Sequence, residues 1–85
     1  MRRDSDYFGE RELRLIYVAR RLKHALRLEQ ALADAGLYYV VEPDEYSAGA
    51  IFRTVRVGAF FYVASESEAA ARETIGREGL RPYEG

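Results

Sequence analysis

Apolar and polar positions alternate along this chain with two different spacings, and the changes from one to the other mark its elements. Leu13 to Arg20 reads Leu-Arg-Leu-Ile-Tyr-Val-Ala-Arg, a composition that suits a strand. Alternation puts Leu15, Tyr17 and Ala19 on one face and Ile16 and Val18 on the other, so a central strand covered on both sides is predicted. From Arg21 to Ala35 the spacing becomes helical. Leu22, Ala25, Leu26, Leu28, Leu32, Ala33 and Ala35 fall on one broad arc, opposite Lys23, Arg27, Gln30 and Asp34. Gly36 then supplies the left-handed stop that commonly ends a helix.

Leu37 to Glu42 reads as the second strand, stopped by Pro43, and Asp44 to Gly49 has turn composition. A third strand, Ala50 to Val63, should return antiparallel to it, with Gly58 marking a bulge or bend. The lower half of this strand is apolar in nearly every position and should be covered on both faces. Either helices and a partner subunit cover it, or one side is a binding surface made of Phe60 and Tyr62. Ser65-Glu66-Ser67-Glu68 fits a capping box, so a second helix is expected from there through Ala69, Ala70, Ala71 and Ile75 to near Gly79. Leu80 to Tyr83 would add a short edge strand, limited by Pro82.

The predicted order is strand, helix, strand, strand, helix, strand. That is the α+β, ferredoxin-like βαββαβ sandwich, with two helices on one face of a four-stranded antiparallel sheet. Residues 13–85 form its single domain. Residues 1–12 are a mostly charged N-terminal arm, loose unless Tyr7 and Phe8 dock.

Size and composition sharpen this outline. A chain of 85 residues buries only about 60% of its unfolded surface, so a domain of this size gains by associating. The absence of cysteine excludes disulfides, thiolate metal sites and a thiol nucleophile, and a reducing, cytoplasmic home is the simplest reading. The longest apolar run, Ala59 to Ala64, is far short of the roughly 20 residues that span a bilayer, so no membrane association is expected. Twelve arginines stand against the single Lys23. That bias suits anion recognition, but with twelve alanines and no asparagine a GC-rich genome is the better explanation. A net charge of -1 argues against nonspecific nucleic-acid binding.

Candidate chemistry is sparse. His24 is the only imidazole and lies at the edge of the helical arc, where it reads as core boundary rather than ligand or base. Glu29 falls inside the apolar arc, and a carboxylate there must reach solvent, find a partner such as arginine, or shift its pKa. Glu42, Asp44 and Glu45 lack the spacing of a calcium loop and read as a solvated hairpin turn. Gly76 and Gly79 sit at the wrong end of a helix to cradle phosphate. No catalytic residue, metal site or cofactor is assigned on this inventory.

Two resemblances extend the reading. Ile16-Tyr17-Val18-Ala19 is similar to the start of the first RNA-contacting motif of an RRM domain, whose sheet stacks bases on aromatic rings. Arg56 to Val63 has the aromatics of the second motif but not its spacing, so RNA is not the favoured partner. Leu15 to Ala19, Leu28 to Leu37 and the Phe-Tyr-Val strand running into Ser65 to Arg72 resemble a family of small prokaryotic signal-transducing proteins, related in fold to the GlnB-like superfamily. That resemblance implies a ferredoxin-like fold and a regulatory role, and it transfers no site.

The expected function is therefore a non-enzymatic cytoplasmic module that binds a small-molecule effector and works as a homo-oligomer. Tyr17, Phe60 and Tyr62 would form its open-face binding or oligomer surface, with the effector at a subunit boundary. The alternatives are an RRM-like RNA-binding domain using the same three rings, and a small ferredoxin-like monooxygenase whose dimer encloses an apolar cavity.

Overall fold

The computed structural model describes residues 1–49 and 54–84. Three strands, β1 (Leu13–Ala19), β2 (Val40–Ala48) and β3 (Thr54–Ala64), form an antiparallel sheet in the order β1-β3-β2. Two helices, α1 (Leu22–Asp34) and α2 (Glu68–Arg77), pack with the sheet, so the class is α+β. No helix among the described residues is long and apolar enough to cross a membrane.

The central position of β3 explains its composition. Phe61 and Val63 are fully buried on the helix side, in a core with Leu28 and Leu32 of α1 and Ala71 and Ile75 of α2. Phe60 and Tyr62 point to the opposite, open side and are half-buried. The arm closes part of that side. A short turn of 3-10 helix, Ser5–Phe8, seats Phe8 against Val40, Ala64, Leu13 and Tyr62, leaving it 3% exposed. Backbone bonds between Arg3 and Tyr39 and between Tyr39 and Met1 lay the start of the arm parallel to the residues leading into β2.

Several local expectations change in three dimensions. β2 does not stop at Pro43 but runs on to Ala48, with Pro43 opposite Ala59 and Glu45 opposite Val57. As an edge strand it tolerates proline, because one row of its backbone groups has no neighbour strand to donate to. The predicted start of β3 at Ala50 falls on residues 50–53, outside the described residues. Gly58 does not mark a bulge, since its pairing with Asp44 lies in an uninterrupted register. A Cβ there would lie 3.1 Å from the Ala19 carbonyl oxygen and 3.1 Å from the Tyr46 ring, so the missing side chain makes room for that ring.

The break in register lies in β1 instead. Leu15 pairs with Tyr62 and Tyr17 with Phe61, which leaves Ile16 as an extra residue. Ile16 and Tyr17 consequently both join the helix-side core, while Leu15 and Val18 lie on the open side.

Both helices end as their glycines predict. Gly36 and Gly79 have φ of 73° and 74°, and the following Leu37 and Leu80 donate back to Leu32 and Ile75. The capping box does not form. Ser65–Ser67 makes a 3-10 turn, α2 starts at Glu68, and the Glu68 carboxylate pairs with Arg72 at 3.0 Å rather than reaching back. The segment after α2 is not a strand; one backbone bond, from the Tyr83 amide to the Ile16 carbonyl at 2.7 Å, ties it to the outer edge of β1.

Candidate functional site

The face of α1 that enters the core is narrower than the apolar arc. Ala25, Leu28 and Leu32 are buried, whereas Leu22 and Leu26 are 74% and 57% exposed. The helix is rotated so that a Leu22-Leu26 stripe runs along its outer flank. Beyond it, the outer half of the β2-β3 pair carries no helix, and Val55 and Val57, on the helix side of β3, are 62% and 67% exposed. The most exposed aliphatic side chains of the described residues thus lie on the helix side of the molecule rather than on the open sheet face.

Between α1 and this strand pair lies a groove of about 410 Å³. Its apolar lining is Leu22, Ala25, Val41, Pro43, Val57 and Ala59, and its polar lining comes from Arg2, Arg20, Arg21 and Glu29. That volume is in the range of small-molecule sites, roughly 300 to 1,000 Å³. A larger depression, about 720 Å³, follows the outer edge of β1, lined by Tyr17, Val18, Pro82 and Tyr83 together with the charged Arg20, Arg81 and Glu84.

Glu29 is the one carboxylate in the groove, and its environment answers the question its position raises. Tyr39, 3% exposed, donates its hydroxyl hydrogen to Glu29 Oε1 at 3.0 Å, and the Arg2 guanidinium stands 3.7 Å from the same oxygen. A charge at the edge of the core is thereby satisfied by one hydrogen bond and one ion pair. Residue 2 comes from the arm and residue 39 from the approach to β2, so nothing in the helical pattern announces either partner.

The Tyr39 hydroxyl responds to the same arrangement. Burial, then the hydrogen bond to Glu29 and its negative charge, push its pKa up to about 12, against the smaller opposing effect of Arg2. An unfolded tyrosine ionises near 10, so the folded state holds this proton more tightly. The resulting stabilisation is complete below pH 10 and is lost as the pH rises through about 12, at on the order of 1 kcal/mol per pH unit. Urea titrations between pH 9 and 11.5, roughly spanning that window, should show the wild-type chain losing stability more steeply than Tyr39→Phe. Equal slopes would mean that Tyr39 is not bound to Glu29.

The three rings expected to share the open face do not. Phe60 and Tyr62 do, as alternate residues of β3, but Tyr17 is 8% exposed on the helix side, where it meets the edge of Phe61 at 6.2 Å between centroids. The bulge at Ile16 turns it inward. Burial raises the Tyr17 pKa, with Arg27 and Arg20 acting the other way. Tyr62 is raised by burial and by the nearby Glu42 and Asp44. The open face is also less bare than expected, since Phe8 packs at one end and the Arg20 guanidinium covers the Tyr46 ring at 5.0 Å.

The remaining candidates stay apart. His24 is half-buried on α1, does not line the groove and makes no side-chain hydrogen bond among the described residues. Glu42, Asp44 and Glu45 lie on β2 rather than on a turn, with Glu45 on the opposite face from the other two. Among the described residues, no three metal-ligating side chains converge. Comparison of the chain with protein-family models, curated proteins and solved structures returns no match.

Proposed function

We propose that the chain is a small, non-enzymatic regulatory module of the cytoplasm that takes an apolar effector in the groove between α1 and the β2-β3 pair and works as a homo-oligomer. The observation that carries this reading is the groove itself: an aliphatic floor, a rim of arginines, and one carboxylate already engaged by Tyr39 and Arg2. Such a lining suits binding better than proton transfer, because it gathers Glu29 with guanidinium and aliphatic groups and leaves His24 outside. The arginine rim favours a ligand that carries an anionic group on an apolar body.

The architecture belongs to the same proposal. A sheet order of β1-β3-β2, with the Tyr83 amide bonded to the outer edge of β1, supports a ferredoxin-like plan whose fourth strand is reduced to one contact. This is also the plan that the resemblance to the signal-transducing family implies. The RNA-binding alternative loses support, since Tyr17 is withdrawn from the platform on which bases would stack.

Anilinonaphthalene sulfonate, an apolar ring system with one anionic group, is a suitable probe. Its fluorescence should rise on titration into the folded protein, and Val57→Asp, which puts a carboxylate in the exposed part of the floor, should abolish the rise while leaving circular dichroism unchanged. No enhancement with the wild-type chain, or the same enhancement with the variant, would remove the groove from consideration.

A further inference from the structure

We infer that the groove is roofed by a second copy of this chain, seated so that the Leu22-Leu26 flank of α1 on one copy packs against Val55 and Val57 on the other, and the reverse. The inference rests on the proposed reading of the groove as a binding surface and names what covers it.

Charge selects the occupant. On the helix side, Arg21 and Lys23 flank Leu22 and Glu45 sits directly opposite Val57 in the sheet, and none of the three forms an ion pair among the described residues; Arg20, in the groove lining, and Arg56, on the other face of β3, are likewise without one. An apolar stripe bordered by cations therefore lies across the groove from an apolar strand bordered by a carboxylate. A two-fold axis through the groove brings each stripe onto the other copy's strand, with cation facing carboxylate twice, which is the self-complementarity an isologous dimer requires.

Two other modes of self-association are less well served. Pairing β2 edge to edge would set Glu42, Asp44 and Glu45 of one copy beside those of the other, and Pro43 has no amide hydrogen to give. On the open face, Phe60 and Tyr62 are only half-exposed, with Phe8 packed against Tyr62. By contrast, Leu22, Leu26, Val55 and Val57 are each more than half exposed. Exposed aliphatic side chains flanking a groove on both sides suit an interaction surface.

Light scattering coupled to gel filtration should report twice the chain mass at micromolar concentration, and the urea midpoint should rise with protein concentration. Leu26→Glu and Val55→Glu lie outside the groove lining, so each should give a folded monomer that still binds anilinonaphthalene sulfonate. Glu45→Arg alone should weaken association by roughly tenfold or more, and adding Arg21→Glu should restore it. Circular dichroism on every variant separates loss of association from loss of fold. A monomeric wild-type chain would overturn both this inference and the homo-oligomer in the proposed function. A dimer that survives Leu26→Glu and Val55→Glu but dissolves with Phe60→Glu would overturn this inference alone and move the interface to the open sheet face.

Discussion

Phe61→Ala is expected to destabilise the chain by about 3 to 5 kcal/mol, the loss typical of emptying a buried aromatic site. Phe61 is fully buried at the centre of the middle strand, edge-on to Tyr17 at 6.2 Å and stacked on Tyr39 at 5.9 Å between centroids. Removing it leaves both tyrosines without a wall and opens a void between the sheet and α1. Since domains have roughly 5 to 15 kcal/mol in total and one this small lies toward the low end, the variant should keep only a narrow margin of stability at room temperature. A urea titration monitored by circular dichroism measures this directly. Phe61→Leu should recover most of the loss, because it refills the volume without the ring. A loss below about 1 kcal/mol for the alanine variant would mean that the three rings do not hold the core together.

Leu32→Ala should cost about 2 to 5 kcal/mol, whereas His24→Gln should change stability by no more than about 0.5 kcal/mol. Leu32 is fully buried among the residues that join α1 to the sheet, and its carbonyl also closes the end of the helix by accepting from Leu37. His24 is half-buried and hydrogen-bonds through no side-chain atom among the described residues. Parallel urea titrations give the comparison. Similar losses from both substitutions would show that α1 is rotated about its axis relative to the arrangement described, with the imidazole taking a share of the core.

These positions also show where pattern suffices and where it does not. The α1 periodicity locates the helix and its stop at Gly36, because helical spacing and a positive φ are local requirements. It does not choose among the leucines of a broad arc. Leu28 and Leu32 are buried and Leu22 and Leu26 are exposed because the rotation of α1 on the sheet turns only part of the arc toward the core. In β1 the ambiguity is sharper. With apolar residues on both faces there is no polar face to set the phase, so one inserted residue at Ile16 moves Tyr17 from the open side to the core without any signal in the pattern. Of Tyr17, Phe60 and Tyr62, only the two on β3 therefore share the open face.

Glu29 illustrates the same division within the candidate site. Its placement in an apolar arc is a property of the helix alone and marks it as a carboxylate in need of a partner. Which partner it finds depends on the arm returning across the molecule, since Arg2 and Tyr39 meet it only after Met1 to Arg3 has aligned with the approach to β2. The groove is wholly a product of such long-range placement. It needs β2 to continue through Pro43, which an edge strand permits, and α1 to stop short of the outer strands.

What the amino-acid order determined by itself was the local and periodic: the types of the two helices and the three paired strands, the antiparallel return of β3 beside β2, both glycine helix stops, and a central strand apolar enough to require cover on both faces. Only the tertiary structure decided the phase of β1, the buried half of the α1 arc, the docking of Phe8, the partners of Glu29 and the existence of the groove. The physical reason is the range of the interactions involved. Backbone propensity and spacing act over a few residues, whereas the choice among equally apolar faces is made by whichever distant segment arrives to cover them.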